Sequence, residues 1–396
     1  PPVMPPCAPA MCTRKRRSHC DSSSSSRSSR SSETGIASSH SADAPPSLPR
    51  AAPRAGTIEC VYPELMQPDD SARIRLALDM CGYAVVPVLS RTEVQHYKNK
   101  IYDVLHSVRP DSTLVYPFTP HGAHSQGFVP AYGIAQSEPV QELRHNNTIR
   151  ATFAGLYGAS PSALAVSHDN IFYLGPDVKR DKPPSFETIC GDDPVKAVQA
   201  ALGSSLRLHT DVGDNTYGAE CEEALARGPY DYIKSVQGQV LLKSVKCDSG
   251  GLVVAAWDVK LDESYFLERS SDFCQLNPKG YAMLRDHLVK ICAPAGSLIL
   301  WRSDLPHANM KADYRSDNYI RLGLFVSWHP VLQKDEAKKK RKIELVMDGY
   351  TGTHWPRQLK RWRKPGSHMG NGKGTSKILK LPQYSPELMQ RITEAI

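Results

Sequence analysis

The chain has 396 residues, 40% of them hydrophobic, enough for one large domain or two of ordinary size with a sizeable core. No apolar run approaches the roughly 18 residues of a membrane span, and the Pro-rich, basic start lacks the apolar stretch of a secretion signal. The net charge of +8 is segregated: about +5 before residue 57, about +9 after residue 330, and about −6 between them.

Residues 1–56, with "TRKRRSHCDSSSSSRSSRSSETG", bury too little apolar surface to offset chain entropy and are expected to be disordered. Next, "GYAVVPVLSRTEVQHYKNKIYDVL" predicts a strand ending near Pro87 and then a helix. Ser90 and Glu93 have the spacing of a capping box, and Val94, Tyr97, Ile101 and Leu105 follow at helical intervals. Later apolar runs are short and β-rich: "ALAVSHDNIFYL", "YIKSVQGQVLLKSV", "GGLVVAAWDV", "GSLILW" and "YIRLGLFVSW". Many short strands after early helices predict a mainly β fold with helical cover (α+β), of the sandwich or jelly-roll kind. The expected organisation is a disordered tail at 1–56, one domain at 57–330 and a basic extension at 331–396.

That extension carries "KKKRK" at 338–342 and "RQLKRWRKPG" at 357–366. With Arg14 to Arg17, these runs read as import signals, as phosphate-binding patches able to hold a nucleic acid, or as solvated charge. The ten cysteines form no CxxC pair, which fits a reduced cytoplasmic or nuclear protein better than a disulfide framework or a structural zinc site.

The chemistry-bearing stretch is "SLRLHTDVGD", with His209 and Asp211 two apart at the end of an apolar run. An HxD triplet alone is weak; His19 and Asp21 repeat it in the tail. Two histidines and one carboxylate can hold Fe(II) on one face and leave the other face open. "GSLILWRSDLPHANM" offers the second histidine, His307, where a strand runs into a loop. Arg321 then interrupts a strongly apolar strand. A buried guanidinium needs an anion or a dense hydrogen-bond set, and its planar fork matches a carboxylate. The bland reading is an ion pair with a core acid; Arg315, in a polar turn, is the rival anchor. Gln237 and Gln239 face either the site or each other's neighbours across strands.

In this order, "GYAVVPVLSRTEV", "LHTDVGD", "DSGGLVV", "GSLILWRSDLPHANM" and "RLGLFVSW" resemble the phytanoyl-CoA dioxygenase family of Fe(II)/2-oxoglutarate oxygenases over about residues 75–330. The resemblance implies a double-stranded β-helix (cupin-like jelly roll) in which His209, Asp211 and His307 bind iron and Arg321 binds the cosubstrate carboxylate. It implies hydroxylation with O2, releasing succinate and CO2, with Asp211 favouring hydroxylation over halogenation. Two departures fall where such folds shape the substrate mouth. "AAWDVKLDESYF" replaces the family's Pro-Gly-Ser-His turn, and the 260–290 stretch looks like an insertion. The substrate, a small molecule or lipid, is therefore not assumed to be an acyl-CoA. Tyr217 and Cys221 lie in a segment that reads as a lid or, more simply, a surface loop. The rival classes are a zinc or manganese cupin-type enzyme and an inert jelly roll binding nucleic acid or a partner through its basic ends.

Overall fold

Capping signals set the first helices. In the structure, a computed structural model, α1 (Ser71–Cys81) starts at Asp70, whose side chain accepts from the Arg73 N–H. It stops at Gly82, whose φ of 77° suits the left-handed turn that closes it. α2 (Arg91–Val108) opens on the capping box: the Ser90 N–H donates to Glu93 Oε2 at 2.8 Å, and the Glu93 N–H to Ser90 Oγ at 3.2 Å. Val94, Ile101 and Leu105 are buried as the helical spacing predicts, Tyr97 is half-buried, and Val108 extends the buried face by a further turn. The described residues are 58–108, 128–129, 132–174, 193–202, 208–213, 217–255, 261–267, 273–312, 316, 320–331, 335–359, 362–365 and 384–395. The tail 1–56 and Arg315 lie outside them.

Further helices are α3 (Glu138–Arg144), α4 (Asn147–Tyr157), α5 (Pro194–Leu202), α6 (Tyr217–Ala226), α7 (Pro278–Leu284), α8 (Glu336–Met347) and α9 (Pro386–Glu394). The strands are β1 (Glu59–Val61), β2 (Tyr83–Pro87), β3 (Phe128–Val129), β4 (Leu164–Val166), β5 (Ile171–Leu174), β6 (His209–Thr210) and β7 (Val236–Leu241). They continue with β8 (Gly251–Ala255), β9 (Cys274–Gln275), β10 (Leu288–Ile291), β11 (Ser297–Arg302), β12 (His307–Met310), β13 (Arg321–Val326) and β14 (Trp328–Pro330). Two six-stranded sheets result, in the orders β1-β10-β8-β12-β6-β9 and β2-β11-β7-β13-β5-β3. Only β1 and β10 pair in parallel among the described strands.

Strand alternation builds three layers of core. Val85, Leu241, Leu252, Val254, Ile291 and Ile299 fill the space between the sheets. On the far side of the β2–β3 sheet, Val86, Leu298 and Leu324 pack against Ile74, Ile101 and Phe153 of α1, α2 and α4. On the far side of the other sheet, Val253 and Ala308 meet Val198 of α5 and Leu284 of α7. Each fully buried Val, Leu or Ile contributes about 1.5–3 kcal/mol against exposure. The architecture is thus mixed α+β with two main sheets rather than mainly β, because helices cover both outer faces. Among the described residues the sheets remain two, not a closed barrel.

The basic segment after residue 330 is packed into the same core. Trp355 and Ala395 belong to the cluster that holds Ile101 and Phe153, and the Val166 N–H donates to the Ala395 carbonyl at 2.8 Å. "KKKRK" lies on α8, where Lys338, Lys340 and Arg341 are exposed but Lys342 is buried. Its ammonium donates to the carbonyls of Val166 (2.8 Å) and Pro356, and burial pulls its pKa down to about 7. A purely solvated charge run would not place a lysine there.

Candidate metal centre

Strand ends position the site. β6 stops after two residues because the chain turns at Asp211, whose N–H donates to the Ser303 carbonyl at 2.8 Å, in the turn between β11 and β12. β12 begins at His307, which faces His209 in antiparallel register. Ala308 points to the outer core, so alternation sends His307 and Asn309 into the space between the sheets.

There the three predicted ligand groups meet. His307 Nε2 lies 3.3 Å from Asp211 Oδ2, and His209 Nε2 lies 3.9 Å from Asp211 Oδ1. One ligand atom from each of the three lies within 4.8 Å of the others. With metal bonds of about 2.1 Å, ligands at right angles sit about 3 Å apart, and the His307–Asp211 contact is already near that spacing. The donor set of two imidazoles and one carboxylate therefore fits a divalent iron-type ion.

Hydrogen bonds around the trio hold the ligand atoms in the required state. His307 Nδ1 is 2.9 Å from the Leu305 carbonyl; donating there, it leaves the Nε2 lone pair facing Asp211. Burial, with His209 next to it, pushes the His307 pKa down to about 4, so the ring is neutral at pH 7. Burial also pushes the Asp211 carboxyl up, but His354, His307, His209 and the Gln237 amide outweigh it and hold the group below its ordinary range. Gln237 Nε2 donates to Asp211 Oδ2 at 2.5 Å and to Ser303 Oγ at 3.3 Å.

Arg321, the first residue of β13, is 4% exposed. One terminal nitrogen donates to Asn309 Oδ1 at 3.2 Å, two residues along β12 from His307. The guanidinium carbon sits 5.0 Å from the centre of the Phe172 ring. Gly323 makes room for that ring, since a Cβ there would come within 2.3 Å of Phe172 Cζ. Arg321 Nε has no hydrogen-bond partner, and no acid pairs with the side chain among the described residues. Burial lowers its pKa to about 10, so it remains a cation at pH 7. The core ion pair that would have made Arg321 structural is not found among the described residues.

Other polar groups are buried without partners. Among the described residues neither end of the Gln239 amide has a partner, nor has Trp301 Nε1; the Trp301 ring lies 5.6 Å from that of His307. The sequence reading missed His354, whose Nε2 lies 3.7 Å from Asp211 Oδ1. It comes from a turn in the basic segment, where no periodicity marks it.

Tyr217 and Cys221 lie on helix α6 rather than in a surface loop. Gly218 lets that helix approach so closely that a Cβ there would fall 2.5 Å from the Asp211 carbonyl oxygen, and the Tyr217 ring stacks edge-on with Trp355 at 5.5 Å. The 260–290 stretch supplies β9, which pairs His209 with Gln275. The Phe273 ring, just before β9, sits edge-on to His209 at 5.8 Å. That stretch thus borders the His209–Asp211–His307 cluster directly.

The sequence matches no family model, and no curated protein matches it. Solved structures of non-haem alpha-ketoglutarate-dependent enzymes do match the chain. The epimerase SnoN, in complex with Fe3+, alpha-ketoglutarate and nogalamycin RO, is 16% identical over 66% of this chain and 84% of its own, with a TM-score of 0.42. The carbocyclase SnoK from nogalamycin biosynthesis is 16% identical over 67% of this chain and 86% of its own, with a TM-score of 0.41. The hypothetical protein JW0805 from Escherichia coli is 15% identical over 83% of this chain and 85% of its own, with a TM-score of 0.46. Likeness at this level leaves the chemistry to be argued from the residues. No helix among the described residues is long and apolar enough to cross a membrane.

Proposed function

We propose that this chain is a dioxygenase on a double-stranded β-helix, using Fe(II), 2-oxoglutarate and O2 to hydroxylate an organic substrate with release of succinate and CO2. One observation carries the reading: the His209–Asp211–His307 cluster shares the inter-sheet space with a buried Arg321 whose one side-chain hydrogen bond among the described residues is to Asn309. A buried cation without a counter-charge is costly. A hydrolytic zinc or manganese centre with the same ligands gives no reason to keep one. The cosubstrate supplies the missing charge: Fe2+, the Asp211 carboxylate, the Arg321 guanidinium and a dicarboxylate dianion sum to zero.

The residues then divide the work. His209, Asp211 and His307 would hold the iron. When bound, iron in this ligand set offers open positions for a bidentate cosubstrate and O2 and supplies the oxidising chemistry. Arg321 grips the far carboxylate of 2-oxoglutarate and orients the molecule. Gln237 fixes the Asp211 carboxylate, and the Leu305 carbonyl fixes the His307 tautomer. Phe172 and Trp301 keep water from the guanidinium and the imidazole. The Gln239 amide offers a donor and an acceptor to a bound molecule, and β9 with Phe273 forms the rim past which a substrate enters.

Anaerobic addition of Fe(II) and then 2-oxoglutarate tests the assignment. The expected result is a visible metal-to-ligand absorption band that saturates at one equivalent and is absent from Asp211→Ala. A folded wild-type chain that develops no band would sink the reading and favour a binding role carried by the basic segments.

A further inference from the structure

A second cluster of metal-ligating side chains lies at the other edge of the sheet that carries β6. Cys60 is in β1, Cys292 follows β10 and Cys247 sits in the turn before β8. Cys60 and Cys247 are 187 residues apart, so no CxxC spacing could reveal them. In the fold, one Sγ from each lies within 4.8 Å of the others.

The three thiols are fixed by backbone rather than by chance contact. Cys60 pairs with Lys290 in the parallel β1–β10 ladder, and the Cys292 N–H donates to the Val61 carbonyl at 2.8 Å. The turn bearing Cys247 is tied down by reciprocal Val245–Ala293 hydrogen bonds of 2.8 and 3.1 Å. It is closed by Ser249 Oγ, which accepts from the Lys246 N–H at 2.7 Å. Lys290 is 1% exposed, and its ammonium donates to the carbonyls of Cys247 (2.5 Å) and Ser249 (2.8 Å). It has no acidic partner among the described residues.

We propose that Cys60, Cys247 and Cys292 form a three-thiolate site for a divalent d10 ion of the zinc class, with Lys290 as its fixed counter-charge. Zinc–sulfur bonds of about 2.3 Å in a tetrahedron place sulfurs about 3.8 Å apart, which the cluster reaches by small side-chain rotations. Three thiolates and a divalent ion carry one net negative charge, which the Lys290 ammonium cancels. A monovalent ion would leave the group negative in a buried setting. Cys292 is buried, but Cys247 is exposed, so an ion has a way in. Tyr62 Oη, 3.5 Å from Cys247 Sγ, or a water molecule completes the fourth position. Four strand steps separate β1 from β6, roughly 19 Å across the sheet, so the site is distinct from the His–Asp–His centre. Its role is to tie the edge strand and the β7–β8 turn to the sheet. Cysteine spacing favoured a reduced protein over a structural zinc site; three thiolates gathered from distant elements would join the two readings.

Titration of the reduced full chain with Cd2+ tests this without involving the other centre, because only sulfur ligands give the thiolate-to-cadmium ultraviolet band. The expected band saturates at one equivalent, is competed away by Zn2+, and raises the melting temperature. Cys247→Ser, an exposed and foldable change, abolishes the band, while Cys221→Ser leaves it intact. A band that survives in Cys247→Ser, no band at one equivalent, or a disulfide joining two of the three in the purified chain would overturn the proposal.

Discussion

Between the same two sheets, one half of the interior is lined by β2, β8, β10 and β11 and the other by β6, β7, β12 and β13. The first half presents Val85, Val254, Ile291 and Ile299, side chains with nothing to satisfy, and Trp301 of β11 stands at its border with the second, beside His307. In the second half the same alternation points Gln237, Gln239, Asn309, His307, His209 and Arg321 inward. Among these, the Gln239 amide and Arg321 Nε have no hydrogen-bond partner among the described residues. A buried unsatisfied polar group costs about 1–3 kcal/mol. The apolar half therefore pays for the polar one, and that imbalance, rather than the presence of histidines, marks where chemistry belongs.

If the halves are separable, damage to the apolar one should cost stability without touching the site. Val85→Ala removes two carbon atoms from a fully buried position. With the transfer and cavity terms combined, it should destabilise the chain by about 2–3 kcal/mol in chemical denaturation. Fe(II) and 2-oxoglutarate affinities should stay within about twofold at temperatures where the variant is folded. Loss of cosubstrate binding in proportion to stability would show that the interior acts as one unit.

Arg321→Lys probes the polar half directly. Lysine keeps the charge but not the planar fork, so a two-point grip on a carboxylate becomes a single contact. The concentration of 2-oxoglutarate needed for half-maximal succinate release should rise about 10- to 100-fold, the loss of one charge-assisted hydrogen bond. An unchanged requirement would move the anchor elsewhere. Fe(II) binding without cosubstrate serves as the internal control and should be unaltered.

The residues that were legible are those whose local pattern broke a rule. His209, Asp211 and His307 stand where apolar runs stop, and Arg321 interrupts a run that should have stayed apolar. The α2 capping box was legible because its hydrogen bonds span only three residues. His354 obeyed no local rule. It reaches Asp211 because Trp355 and Lys342 anchor a segment whose basic composition suggests a solvated tail. Lysine burial there is satisfied by two backbone carbonyls, which no composition can announce. The cysteine cluster was hidden for the same reason: its geometry is made by a parallel strand pair and a turn far apart in sequence.

Gln239 divides the two halves most finely, because its neighbours in register are Ile299 on one side and Phe325 on the other. An amide between two apolar side chains, fully buried and without a partner among the described residues, is a net cost to folding unless a bound molecule uses it. Gln239→Leu is close in volume and removes the unmet donor and acceptor. It should therefore stabilise the metal-free chain by about 1 kcal/mol in urea denaturation while weakening cosubstrate or substrate binding several-fold. A variant that loses stability would show that the amide has a partner in solution and belongs to the scaffold. A variant that gains stability and keeps full affinity would leave Gln239 outside the site. The comparison between the halves holds only if stability and affinity move in opposite directions at this position, as they do not at Val85.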